Sequence, residues 1–218
     1  MMREWIKENL DLWNSPEMQE AYGYNNYKEI FLNPFSDVCI ILFSSNGLYY
    51  PNTKEEFRET VLGEDRYEWE NYIRDDSIEC YAGKIILVRD VYKQWYVKGI
   101  NKVCGDVEAL LALLKKLTKG YRVITLGSSA GGYAAALFGV KLSANKIYSL
   151  SGQFSIKHEV NDYYWLSKYE KDEKRAKYFD IINLVKESGV PIFYFYPARC
   201  LQDIEQYEYI KNINHIYT

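Results

Sequence analysis

One segment constrains this chain more than any other: Val123-Ile-Thr-Leu-Gly-Ser-Ser-Ala-Gly-Gly-Tyr-Ala-Ala-Ala-Leu137. It holds Gly127-Ser128-Ser129-Ala130-Gly131, a G-x-S-x-G pentapeptide. The pentapeptide alone is weak evidence, because small residues cluster by chance. Its flanks supply the rest. Arg122–Leu126 is a β-branched apolar run that predicts a buried parallel strand, and Tyr133–Leu142 is rich in Ala and Leu and predicts a helix. A strand, a tight turn between glycines and a helix are the setting in which a serine hydroxyl is pushed out above a sheet edge. Gly127 and Gly131 leave room for strand and helix to pass. The N–H of Ala130 and the start of the helix are then aimed at a developing oxyanion. A Rossmann turn would want G-x-G-x-x-G and a phosphate loop G-K-[ST]; the segment has neither.

Composition narrows the class. The 218 residues suffice for one domain with a full sheet core. A net charge of −3 and a pI of about 5.6 give no electrostatic reason to expect nucleic acid. The N-terminus, Met-Met-Arg-Glu-Trp-Ile-Lys-Glu, is charged where a signal peptide needs an apolar core, and no apolar run approaches the roughly 18 residues of a membrane span. Cys39, Cys80, Cys104 and Cys200 are scattered, with no C-x-x-C. That argues against zinc and against a disulfide framework, and it fits a reducing cytoplasm. The 22 tyrosines follow the same bias as the abundant Asn, Ile and Lys, which AT-rich genes favour.

Strands and helices alternate along the chain. Residues 1–22 predict an amphipathic helix with Trp5, Ile6, Leu10 and Trp13 on one side. Strands are expected at Tyr27–Phe31, Val38–Phe43, Lys84–Asp90, Asn145–Leu150, Val190–Tyr196 and Ile213–Tyr217, besides the one ahead of Ser129. Helices are expected at Lys54–Leu62, Val107–Leu117 (capped by Asp106 and closed by Gly120), Asp180–Lys186 and Gln202–Asn212. Residues 91–99 read as an aromatic loop or a short helix. Residues 160–177, charged and aromatic, read as a solvated helix face or as part of a lid segment over 154–180. The pattern predicts an α/β fold: one domain over 1–218, with a mostly parallel sheet and helices on both faces. Ligand sites in such sheets gather at the carboxyl ends of the strands. The residues there are Ser45 and Asn46, Asp90, Ser129, Gln153, and 199–203.

The order of these elements resembles the α/β-hydrolases, from about Asp37 onward. The resemblance implies Ser129 as nucleophile and Asp203, the first carboxylate after the Ile192–Tyr196 strand, as the acid, with Asp90 as a fallback. It implies an oxyanion hole made by the N–H groups of Ala130 and Asn46, with Ser45 a close rival of Asn46. G-S-S-A-G-G-Y-A-A, with a strand ending in R-D and then W-Y, also resembles small hydrolase-fold proteins of bacterial surface-polysaccharide synthesis. The histidine departs from the pattern. The family places it in a loop after the last strand, and this chain has only His158 and His215. Four readings compete: truncation of a longer protein before its histidine, His215 as the base, His158 as the base, or no base at all. Truncation and then His215 are the expectations.

The resemblance therefore implies a serine esterase acting on a small-molecule or carbohydrate ester without metal or cofactor. Its first alternative is an O-acyltransferase that acetylates a glycan hydroxyl from acetyl-CoA. A second is a hydrolase fold kept as a non-catalytic binding protein. Trp95, Tyr96 and the aromatics at 163–165 are candidates for stacking on sugar rings, or for core.

Overall fold

The computed structural model describes residues 10–73, 76–161 and 164–218. The first half of the amphipathic helix expected over 1–22, including Trp5 and Ile6, lies outside them. The second half appears as Pro16–Ala21, with Met18 N–H donating to the Ser15 cap.

Seven strands form one sheet: β1 Tyr27–Phe31, β2 Val38–Phe43, β3 Lys84–Val88, β4 Arg122–Ser128, β5 Lys146–Leu150, β6 Ile192–Phe195 and β7 Ile216–Tyr217. Their spatial order is β1-β3-β2-β4-β5-β6-β7. Only β1 runs antiparallel, against β3. The near-continuous apolar runs of β2 and β3 follow from burial on both faces, as parallel strands require. The chain first winds to one side, from β2 to β3, and then returns past β2 to build β4 through β7. The order therefore reverses between β2 and β4. At that switch point the crossovers leave in opposite directions and open a crevice at the carboxyl ends.

Among the described residues, four helices reach seven residues or more: α1 Val107–Leu117, α2 Ala130–Lys141, α3 Ile182–Ser188 and α4 Leu201–Ile210. The Asp106 cap is as expected, with Ala109 N–H donating to its Oδ1 at 2.8 Å. Helix α2 begins three residues earlier than its composition suggests. Gly131 and Gly132 have poor helix propensity, but this turn is buried, and packing outweighs propensity. Residues 130–140 are all buried, which explains why α2 is apolar all round rather than amphipathic.

One sheet face, bearing Ile41, Phe43, Ile86, Val88, Val123 and Ile147, packs with α1, α2 and α3 into the main core. The opposite face is covered over β1, β3 and β2, where Tyr67, Ile73 and Ala82 pack on Leu42, Ile85 and Leu87. Across β4 to β7 it carries Leu126, Tyr148, Phe193 and Tyr217 in register. The last three rings stack at 5.1 and 5.3 Å between centroids, and Tyr217 is half exposed.

Residues 167–177 carry no buried side chain, as a solvated face requires, but the segment is anchored on both sides of them. Phe154, Ile156, Val160, Leu166, Tyr178 and Phe179 are all buried in the main core, and a bridge joins Ser155 to Asp180. Its apolar residues were masked in the sequence by the charged run between 168 and 175.

Candidate active site

Ser129 adopts φ 52 and ψ −119, left-handed backbone that a side chain rarely takes. Such a conformation costs on the order of 1–3 kcal/mol and persists only where its surroundings hold it. Here they do. Ser129 N–H donates to Leu150 O at 2.8 Å, and Ser129 O accepts from Tyr133 N–H at 3.0 Å. A Cβ on Gly127 would stand within 3.0 Å of Gly131 O, and a Cβ on Gly131 within 3.0 Å of the carbonyl oxygens of both Phe43 and Ser44. The two glycines of the motif are therefore sites of backbone contact, between β4 and α2 and between α2 and the end of β2. Ala130 is the first residue of α2, so its N–H has no acceptor within the helix.

The turn after β2 lies across the switch point from this elbow. Four of its five N–H groups are used. Ser44 N–H donates to Val88 O at 2.9 Å, and Gly47 N–H to Ser45 Oγ at 2.9 Å. Leu48 N–H donates to Ser45 O at 3.3 Å. Ser45 N–H donates to Glu68 Oε2, and Ser45 Oγ–H to Glu68 Oε1 at 2.9 Å. Of the five, Asn46 N–H is the one with no acceptor among the described residues. Between the two rivals for the second oxyanion donor, the turn leaves Asn46 available and Ser45 engaged. Nothing in the sequence pointed to Glu68, which is distant in the chain from both strands.

Asp203 sits in the first turn of α4, 9% exposed, and accepts no hydrogen bond from any described residue. It lines a polar cleft with Gln153, Ser155, His158, Glu159 and Gln206. Two glutamines of that cleft are fixed: Trp95 Nε1–H donates to Gln153 Oε1 at 2.9 Å, and Phe154 N–H to Gln206 Oε1 at 2.8 Å. The cleft flanks the carboxyl ends of β5 and β6, which are tied together where Ser151 N–H donates to Phe195 O at 2.6 Å.

His215 is a correction. It precedes β7 rather than lying within it, and its carbonyl accepts from Ile192 N–H at the start of β6. It is therefore level with the amino ends of the strands. Ser129 lies at the carboxyl end of β4, three strands away, a separation on the order of 20 Å from strand spacing and rise. The ring of His215 is occupied as well, with Nε2 2.9 Å from Val185 O. The structure does not bring His215 to Ser129.

Asp90 is a second correction. Its carboxylate is buried and accepts the N–H groups of Tyr92, Gln94 and Tyr96 at 3.0, 2.7 and 2.9 Å. Burial pushes its pKa up to about 6, against the opposing pull of those three donors. It organises the 91–99 loop, where Lys93, Trp95 and Tyr96 all have positive φ, and no described histidine bonds to it. The same loop settles the aromatic question for two residues. Trp95 is 3% exposed and Tyr96 fully buried, so both are core rather than sugar platforms. Tyr163 lies outside the described residues, as do the side chains of Tyr164 and Trp165.

Solved structures place this arrangement in context. The capsule O-acetyltransferase of Neisseria meningitidis serogroup A superposes with a TM-score of 0.59 at 15% identity, over 87% of this chain and 78% of that one. Fluorophosphonate-binding serine hydrolase F of Staphylococcus aureus gives 0.57 at 14% identity, over 88% and 82%. MenH of the same species gives 0.54 at 13% identity, over 89% and 88%. The fold is that of the α/β-hydrolases. No family model and no curated protein matches the sequence. At these identities the likeness is one of fold, and the α/β-hydrolase fold carries many chemistries. Among the described residues, no helix is long and apolar enough to cross a membrane.

Proposed function

We propose that this chain performs acyl transfer through an ester on Ser129. The strained backbone of Ser129 between Gly127 and Gly131 carries the proposal, because a structural turn has no need of that conformation at a serine. In this reading Ser129 Oγ attacks an ester carbonyl. A histidine takes its proton and returns one to the leaving alcohol, and Asp203 orients that histidine. The N–H groups of Ala130 and Asn46 hold the oxyanion. With water as acceptor the activity is that of an esterase. The candidate for the base within residues 1–218 is His158, which lines the same cleft as Asp203.

Transfer of an acetyl group from acetyl-CoA to a glycan hydroxyl is the second reading. It is supported by the likeness to the capsule O-acetyltransferase and by the polar lining of the Asp203 cleft.

The test is intact-mass analysis after treatment with a fluorophosphonate probe, on the chain, Ser129→Ala and His158→Ala. One adduct, lost in Ser129→Ala, supports the serine mechanism, and its loss in His158→Ala identifies the base. No adduct on folded protein, with or without added imidazole, overturns the serine reading and favours a hydrolase fold that binds without catalysis. Transfer of radiolabelled acetyl from acetyl-CoA to a saccharide, absent in Ser129→Ala, separates the two activities.

A further inference from the structure

We infer that Glu68 is a positioning residue for the oxyanion hole, one that fixes which backbone N–H the hole uses; this rests on the serine reading above. Glu68 belongs to the segment laid over β2 and β3, and its neighbour Trp69 donates Nε1–H to Phe43 O at 2.8 Å. Two consecutive side chains therefore stitch that segment to the carboxyl end of β2. The Glu68 carboxylate takes both the N–H and the Oγ–H of Ser45. Ser45 Oγ, held in this way, accepts Gly47 N–H and closes the turn. From the other side, Tyr96 Oη donates to Ser44 O at 2.8 Å. With its neighbours tied down, Asn46 N–H is held in one place within the turn whose first residue, Ser44, meets Gly131 of α2.

The arrangement has a physical logic. An oxyanion hole works because its donors are fixed before charge develops, so no reorganisation is needed at the moment of reaction. A turn of Ser, Ser, Asn and Gly has no such rigidity of its own. A two-point bond to a carboxylate is stronger and more directional than a bond to a neutral group, and it supplies what the turn lacks. It also withdraws Ser45 N–H from competition. Glu68 touches no reacting atom in this account and acts through Asn46.

Three variants test the role: Glu68→Ala, Glu68→Gln and Ser45→Ala, each checked for folding by thermal melt. The readouts are the rate of Ser129 phosphonylation, and kcat and KM for a small aryl ester. Loss of one oxyanion donor typically costs 10²–10³ in kcat. Glu68→Ala should approach a 10²-fold fall in kcat and slow phosphonylation in parallel, with KM nearly unchanged. Glu68→Gln, which keeps an acceptor for Ser45 N–H, should recover most of the loss. Ser45→Ala should fall between them. Glu68→Ala that is folded and reacts at the wild-type rate overturns the role. Glu68→Ala that reacts faster than wild type also overturns it, since Glu68 would then be blocking the hole rather than building it. A wild type that never labels defeats the serine reading, and this inference with it; a wild type that labels while the variants match it defeats only this inference.

Discussion

The α carbon of Gly131 lies so close to the carbonyl oxygen of Phe43 that no β-carbon fits between them. This contact joins the start of α2 to the end of β2 across the switch point, between Ala130 and the turn that holds Asn46, the two proposed oxyanion donors. Gly131→Ala must therefore move backbone, not a side-chain tip. We expect a loss of about 1–3 kcal/mol in chemical denaturation, the usual cost of overpacking. Ser129 labelling should fall even at temperatures where the variant is fully folded. Labelling at the wild-type rate would mean that the elbow tolerates the shift.

The strain at Ser129 is separable from its chemistry. Serine and alanine both carry a Cβ, so Ser129→Ala keeps the backbone penalty at φ 52, whereas Ser129→Gly relieves it. The gain is partly offset by the larger unfolded-state entropy of glycine. Ser129→Gly should be more stable than Ser129→Ala by about 1 kcal/mol. Equal stabilities in urea titrations would show that the turn is unstrained.

Asp203 should behave as a functional rather than a structural carboxylate. It is 9% exposed, yet no described residue donates to it. A buried structural aspartate such as Asp90 would be bonded. Asp203→Asn breaks no hydrogen bond, so its stability should stay within about 1 kcal/mol of wild type. The rate of Ser129 labelling should nevertheless fall by roughly 10² or more, in line with loss of a triad orienter. A large drop in melting temperature with unchanged labelling would reverse the assignment.

Much of the frame was legible because local signals and burial agree. The apolar runs of β2 and β3, the Asp106 cap and the strand–turn–helix around Ser129 each encode their structure within a few neighbouring residues. The misses are non-local. His215 was expected within a strand that ran from Ile213, but β7 is only Ile216–Tyr217 and begins after the histidine. Its ring's contact with Val185 depends on α3, which periodicity cannot place beside it. Asp90 looked like a site residue because it follows a strand. Its three N–H partners come from a loop with positive φ at non-glycine positions, which propensity does not foresee. Glu68 was invisible for the same reason, since its partner Ser45 lies on another layer of the fold.

Asp90 and Lys93 also make a prediction about pH. Burial raises the Asp90 pKa from 3.8 to about 6, so between those values the folded protein holds a proton that the unfolded chain has released. Stability contributed by that proton is fully present below pH 3.8 and is lost as pH rises to about 6, on the order of 3 kcal/mol. Lys93 works in the other window. Burial lowers its pKa from 10.5 to about 7, so its contribution is poorest below 7 and improves as pH rises toward 10.5. Together the two groups place a minimum between pH 6 and 7. Asp90→Asn abolishes the first slope. It should also be less stable at every pH, because its amide nitrogen cannot accept from both Gln94 and Tyr96 as Oδ2 does. Urea denaturation of wild type and Asp90→Asn from pH 4 to pH 8 reads the difference directly. It should narrow as pH rises through 4 to 6 and then stay flat; a difference that widens over that interval would mean the buried carboxylate is stabilised, not penalised, when charged.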